Sequence, residues 1–458
     1  MTKNTTRNYK RTPLALAIAL AATLGATAAH AVDFHGYVRS GIMESNNGGQ
    51  DAYLAGKLGR FGNETGGWWS MVFSQDLMKT DDGKSFGVVA QLEGDTPLTG
   101  NDDWTYGDSY GPNGHLGMTA YYVTAKGYIP AIPEATIWAG KRAFETHEIQ
   151  QLDWKAVHSA GNGAGIEGID AGPGKLAFSV KRADTNSSSW TETSQNPVYD
   201  SNGNVTGYTE SSTSNSTKYN VDFFDIRYAK LPFISDATVE LIGQYAMVDK
   251  DDEQEELEAA GTIAKAENSF IPTMIITKPV GKGFNETYFQ YTTKRFANNL
   301  VALGYNDTLS TSFDNDYSEA KAFRFINTGE TYLTDDIVMQ HSVVYATGSD
   351  ITPTLEKANS FSVVARPAYL WNDNHKTALE MGWFKQTNTV SGEDKVEQGK
   401  KVTLAQVITA GPGVFARPEL RFYSTYMKAD KYEISGSAPF NDGKDDQLSF
   451  GVQVEAWW

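Results

Sequence analysis

The sequence predicts an all-β protein that closes into a transmembrane antiparallel barrel. Three observations carry this. Apolar and polar residues alternate along stretches of about ten residues, the spacing of outer-membrane strands. The chain opens on an export signal, and no later apolar run is long enough for a spanning helix. Aromatics reach 12%, yet mean hydropathy is only −0.42. Many rings with low mean hydropathy suit a sheet with one apolar and one wet face.

The export signal comes first. Lys3, Arg7, Lys10 and Arg11 precede an apolar run over 14–24, and Ala29-His30-Ala31 ends it. That order is a secretory signal peptide cut before Val32, leaving 32–458 as a single barrel domain. Strands are then expected at 34–42, 68–75, 86–93, 120–127, 136–142, 174–182, 221–231, 238–248, 286–294, 342–347, 361–371, 379–387, 401–409, 418–428 and 447–458. Over 174–182, Leu176, Phe178 and Val180 share one face, and Lys175, Ser179 and Lys181 share the other. Over 447–458, Leu448, Phe450, Val452, Val454, Ala456 and Trp458 oppose Gln447, Ser449, Gln453 and Glu455. This parity turns Trp458 to lipid and Trp457 to the lumen, where no girdle needs it. A soluble sandwich would also alternate, but the chain shows no second-domain boundary, and its connections alternate between short and long.

The stretches 95–117, 187–216, 249–258 with the Ala-rich run to 266, 392–399 and 429–446 are polar and read as long extracellular connections. The acidic run 249–258 lacks the ligand–Gly spacing of a calcium loop. It reads as a solvated loop or short helix, and whether calcium binds there is left open. Gly161-Asn162-Gly163-Ala164-Gly165 has no helical pattern after it and reads as a turn.

Cysteine is absent, which removes disulfides, thiolate nucleophiles and zinc–thiolate sites. The formal charge of −17 disfavours nucleic acid and anionic membrane surfaces. No G-x-S-x-G, H-E-x-x-H, P-loop or dinucleotide fingerprint occurs, so no enzyme activity and no cofactor is expected. Glu145, Glu148 and Asp153 could supply a carboxylate pair for sugar hydrolysis, but carboxylates on a loop are more often ligands or solvated charge. They belong to 136–155, which begins as a strand and then crowds Glu145, His147, Glu148, Asp153, Trp154 and Lys155 together. A water-filled passage narrowed by a loop uses such a mixture. Rings cover the C–H face of a sugar, and Arg, Asp and Glu bond its hydroxyls. A row of rings lets a sugar enter without binding too tightly to leave.

The residues resemble the maltoporin-type, sugar-specific outer-membrane porins. The blocks VDFHGYVRSG (32–41), TIWAGKR (136–142), GAGIEGIDAGPGKL (163–176) and EAWW (455–458) carry the likeness. LGRFGNE (58–64), YVTAKGYIP (122–130), LDWK (152–155), RPAYLW (366–371) and RPELRFY (417–423) look closer to the aryl-β-glucoside branch, whose N-terminal periplasmic extension has no counterpart here. The resemblance implies 18 strands, a homotrimer, an inward-folded third loop and facilitated diffusion of maltodextrins or aryl-β-glucosides. It implies a substrate-binding aromatic lane of Tyr37, Trp68, Trp104, Phe284, Phe415 and Trp457. It also implies a polar track of Arg39, Arg60, Glu148 and Asp153, with Lys155 at the constriction. Thr146, Ser70 and Lys155 stand where the maltodextrin branch has an arginine, an acid and a tyrosine, which weighs against that substrate more than against the lane. A general diffusion porin is the alternative. The expected partners are sugar, outer-membrane lipid, two further copies of the chain and, at the loops, a phage.

Overall fold

The computed structural model describes residues 32–49, 51–97, 115–303, 313 and 315–458. Among these residues, eighteen strands form one antiparallel sheet, and the first strand (Asp33–Ser45) pairs with both the second (Gly66–Lys79) and the last (Asp446–Trp457). The sheet is therefore closed. In lipid every backbone N–H and C=O needs an internal partner, and a sheet without edges supplies it. Two short strands, His147–Ile149 and Trp154–Val157, pair only with each other.

The alternation sets the two faces. Phe361, Met381, Val402, Leu404, Phe422 and Phe450 are exposed on the outside. Their chain neighbours Ser362, Glu380, Lys401, Thr403, Arg421 and Ser449 are buried within. Trp458 faces out against Phe34, with ring centroids 5.6 Å apart.

Two connections fold into the interior. The first long one, 46–65, carries the short helix Ala55–Leu58. Lys401 donates to the carbonyls of Gly59 at 2.7 Å and Phe61 at 2.8 Å, and Glu380 accepts from the Phe61 amide at 3.1 Å. Gly382 lies beneath it, where a Cβ would meet the Leu58 carbonyl oxygen at 2.1 Å. The third long connection, 144–159, buries Ile149, Leu152, Trp154, Ala156 and Val157 against wall residues Ile242, Ile275, Tyr288, Ile326, Val344 and Val364. Trp154 Nε1 donates to the Gly56 carbonyl at 3.0 Å and ties the two connections together. Beyond them, Tyr219, Phe223, Phe296, Leu300 and Tyr317 join a separate apolar cluster under the later connections.

Four expectations are corrected. The stretch 187–216 is not a loop: strands Gly174–Tyr199 and Val205–Pro232 continue as a paired ribbon to a turn at 200–204. Its Ser and Thr residues look like loop composition, but cross-strand pairing continues through them. The glycines of 161–165 lie inside the strand Ala160–Ala171. Gly165 makes room for a ring there, since a Cβ would meet Trp138 Nε1 at 2.6 Å. The stretch 392–399 lies mostly within the strand Glu393–Thr409. Strands Ser269–Val280 and Lys321–Tyr332 were not anticipated. The acidic run does contain a helix, Asp252–Ala259, whose N-cap Asp251 and Gln254 form a capping box.

Candidate functional site

Closure of the barrel assembles the site. Pairing puts Tyr37 opposite Trp457 and Ser70, and Arg39 opposite Glu455 and Trp68. Period 2 then turns Tyr37, Arg39, Trp68, Ser70, Glu455 and Trp457 to the same inner face. The first long connection adds Arg60 and Glu64, and the third adds Glu148, Asp153 and Lys155. Arg60 N donates to the Gln151 carbonyl at 3.1 Å, so the two connections hold each other in register here.

Eight of the eleven expected residues line one cavity of about 840 Å³: Tyr37, Arg39, Arg60, Trp68, Glu148, Asp153, Lys155 and Trp457. Phe284 and Phe415 line a second cavity of about 270 Å³, with His147, Glu286 and Tyr288. Glu148 lines both. Trp104 lies outside the described residues. Four of the rings are arranged in two pairs. Tyr37 and Trp457 stack at 6.4 Å with 15° between planes, and Phe284 meets Phe415 at 5.7 Å and 40°.

The charges form a connected track. Arg39 pairs with Glu64 at 2.5 Å and Asp153 at 3.1 Å. Arg60 pairs with Glu64 at 2.5 Å and Glu455 at 3.0 Å, and donates to the Tyr37 hydroxyl at 3.2 Å. Glu455, fully buried, also takes the Tyr37 hydroxyl at 2.8 Å, Arg417 at 2.6 Å, and Arg421. Such a network holds its guanidinium and carboxylate groups in place before any ligand arrives. Sequence reasoning singled out neither Glu64, Glu455, Arg417 nor Arg421 as site residues. Glu455 was legible: it shares the polar face of the last strand with Trp457, two residues on.

Two carboxylates on the third connection are shifted in opposite senses. Burial inside the barrel, then the charge of Asp153, raises the Glu148 carboxyl. Burial also acts to raise Asp153, but the guanidinium groups of Arg60 and Arg39 outweigh it and hold Asp153 below its ordinary value. Among the described residues, no three His, Asp or Glu side chains converge as a metal site.

A closed sheet, apolar outside and lined within by charges and rings, defines a channel of the outer membrane. The LamB porin family model matches residues 32–458, and the chain belongs to that family. Among solved structures, the chain is similar to OccD3 (OpdP) of Pseudomonas aeruginosa, at 10% identity and a TM-score of 0.47 over 94% of this chain and 92% of that one. It is similar to OccAB4 of Acinetobacter baumannii, at 10% identity and 0.44, over 93% and 97%. It is also similar to OmpF of Salmonella typhi, solved in complex with daunomycin, at 8% identity and 0.44, over 93% and 97%.

Proposed function

We propose that this outer-membrane channel is sugar-selective and passes oligosaccharides or glycosides, of maltodextrin or aryl-β-glucoside type, by facilitated diffusion along an aromatic lane. On this reading residues 1–31 are a cleaved signal peptide and 32–458 are the barrel. Three copies assemble, and the third long connection forms the constriction. The observation that carries it is the seating of Tyr37, Trp68 and Trp457 with Arg39, Arg60, Glu148, Asp153 and Lys155 around one cavity. The rings offer flat apolar faces to sugar C–H groups. Arg39, Arg60 and Asp153 offer donors and acceptors already fixed by ion pairs, so few side chains must be ordered when a sugar arrives. Phe284 and Phe415 extend the lane toward the end of the barrel with the short turns.

A second reading is a general diffusion porin. Lys155, Glu93 and Glu148 line the large cavity, and among the described residues none of them has an ion-pair partner within 4 Å. Such charges attract small ions as readily as they contact sugars. Single-channel current in a planar bilayer, titrated with maltohexaose, sucrose and an aryl-β-glucoside, separates the two. Saturable block by one of them supports the lane and names the substrate class. Steady ohmic current with no block by any of them supports the general porin.

A further inference from the structure

We propose that Arg417 is a positioning residue that sets two rings of the lane together. It holds Trp457 in its orientation and anchors the turn that carries Phe415. The proposal rests on the aromatic-lane reading.

Strand pairing opposite Tyr37 fixes the Trp457 backbone, and contacts on the faces of its ring set the ring's orientation. The Arg417 guanidinium carbon lies 4.2 Å from the centroid of that ring, a cation–π seat on one of its faces. The guanidinium is itself held from two directions. Nε and one terminal nitrogen donate to Glu455 at 3.0 and 2.6 Å, and Glu455 lies two residues before Trp457 on the same strand. The other terminal nitrogen donates to the carbonyls of Val414 at 3.0 Å and Ala416 at 2.9 Å, the residues on either side of Phe415. It also reaches Glu419 at 3.3 Å. The side chain is 1% exposed and lines neither cavity of the site. It therefore reaches sugar only through the rings it holds.

The turn itself lies across the end of the passage. Val414 N donates to Glu330 at 3.0 Å, and Phe415 meets Phe284 on a strand well around the barrel wall. One planar fork thus joins the ring of the last strand to the ring of the turn. Lysine could keep the charge but not the flat cover and the multiple bonds together. That difference separates positioning from simple charge.

The test is a pair of double-mutant cycles read as sugar block of single-channel current, using whichever of the three sugars blocks the unmodified protein. Arg417→Lys is expected to weaken block roughly tenfold, the scale of one lost cation–π contact, mainly through faster release, with open-channel conductance nearly unchanged. In Trp457→Ala and in Phe415→Ala the same change is expected to cost less than in the unmodified protein, because one of the two rings it positions is gone. Heat-modifiable gel mobility checks barrel folding for each variant. Should Arg417→Lys not insert, Arg417→Gln carries the same cycles, since Gln can bond the turn but cannot cover the ring. Full additivity in both cycles overturns the proposal, as does unchanged affinity in Arg417→Lys. Failure of both Arg417 variants to fold also overturns it, making Arg417 a folding residue. Unchanged affinity in Trp457→Ala overturns the lane reading instead.

Discussion

At the scale of single residues, the environment decides what a carboxylate does. Glu148 and Asp153 lie five positions apart on one connection, and both line the large cavity. Glu148 is raised by burial and by Asp153, while Arg60 and Arg39 hold Asp153 down. A raised carboxyl takes its proton first as pH falls. From pH 7 downward, the passage therefore loses one negative charge at Glu148 before ordinary carboxylates titrate near about 4.3. Cation preference, read as reversal potential across a KCl gradient, is expected to decline over that interval while Asp153 stays ionised. Glu148→Gln should show the reduced preference already at pH 7 and no such decline. A wild-type pH profile in that variant would place the titrating group elsewhere. Trp457→Ala should weaken sugar block roughly tenfold, since a stacking ring contributes about 1 kcal/mol beyond its buried area, and leave conductance nearly unchanged. Trp457 was legible from parity alone. Arg417 was not, because an Arg in a turn carries no periodic signal, and the partners that tie it to the last strand, Glu455 and Trp457, lie 38 or more residues on in the sequence.

At the scale of elements, alternation failed in two strands whose inner wall the third connection covers. In Ser269–Val280 the buried face carries Ile271 and Ile275, and the outer face carries Phe270, Met274 and Ile276. Both faces are apolar because the third connection packs on Ile275, so the period-2 signal vanishes. Lys321–Tyr332 hid for a related reason. Its Arg324 is buried over Trp154 at 4.7 Å, an arrangement that depends on a loop far away in the chain. The ribbon over 187–216 was misread from composition, and the strand at 160–171 from glycines that serve close packing. The inward course of the first connection carried no local sign, because its pins come from residues 366, 380 and 401. Those pins make a prediction. Glu380 bridges Arg366 at 2.7 Å and Lys401 at 2.6 Å with no exposure to solvent. Glu380→Gln leaves two buried cations short of their counter-charge, a loss of about 3–5 kcal/mol. The unfolding midpoint should drop, and open-channel conductance should rise as 46–65 loosens. Gly382→Ala acts on the same connection sterically and should cost about 1–3 kcal/mol. Lower stability without a conductance change in both variants would mean that the first connection does not border the ion path.

At the scale of the whole molecule, the usual distribution of polarity is inverted. The interior holds ion pairs such as Glu380–Lys401 and the guanidinium groups around Glu455, while large apolar side chains stand outside. In water this would be unstable. In a bilayer the outer rings and aliphatic chains need no partner, and the inner charges bond one another and the water of the passage. Leu404 lies inside the strand Glu393–Thr409, is 55% exposed, and is flanked across the sheet by Leu379 and Ser424. Lys400, four residues earlier on the same outer face, pairs with Asp430 at 2.9 Å and marks where the wall turns polar. An arginine at 404 must enter hydrocarbon, where the cost near the midplane is about 2–4 kcal/mol. Glu393→Arg, at the exposed end of the hairpin, stays in water and should change stability by no more than about 0.5 kcal/mol. Denaturant unfolding from lipid vesicles measures both. A large loss for Leu404→Arg beside a small change for Glu393→Arg fits a belt at that depth. Equal, small changes would put Leu404 outside the belt and shift the assignment of the membrane boundary along the whole barrel.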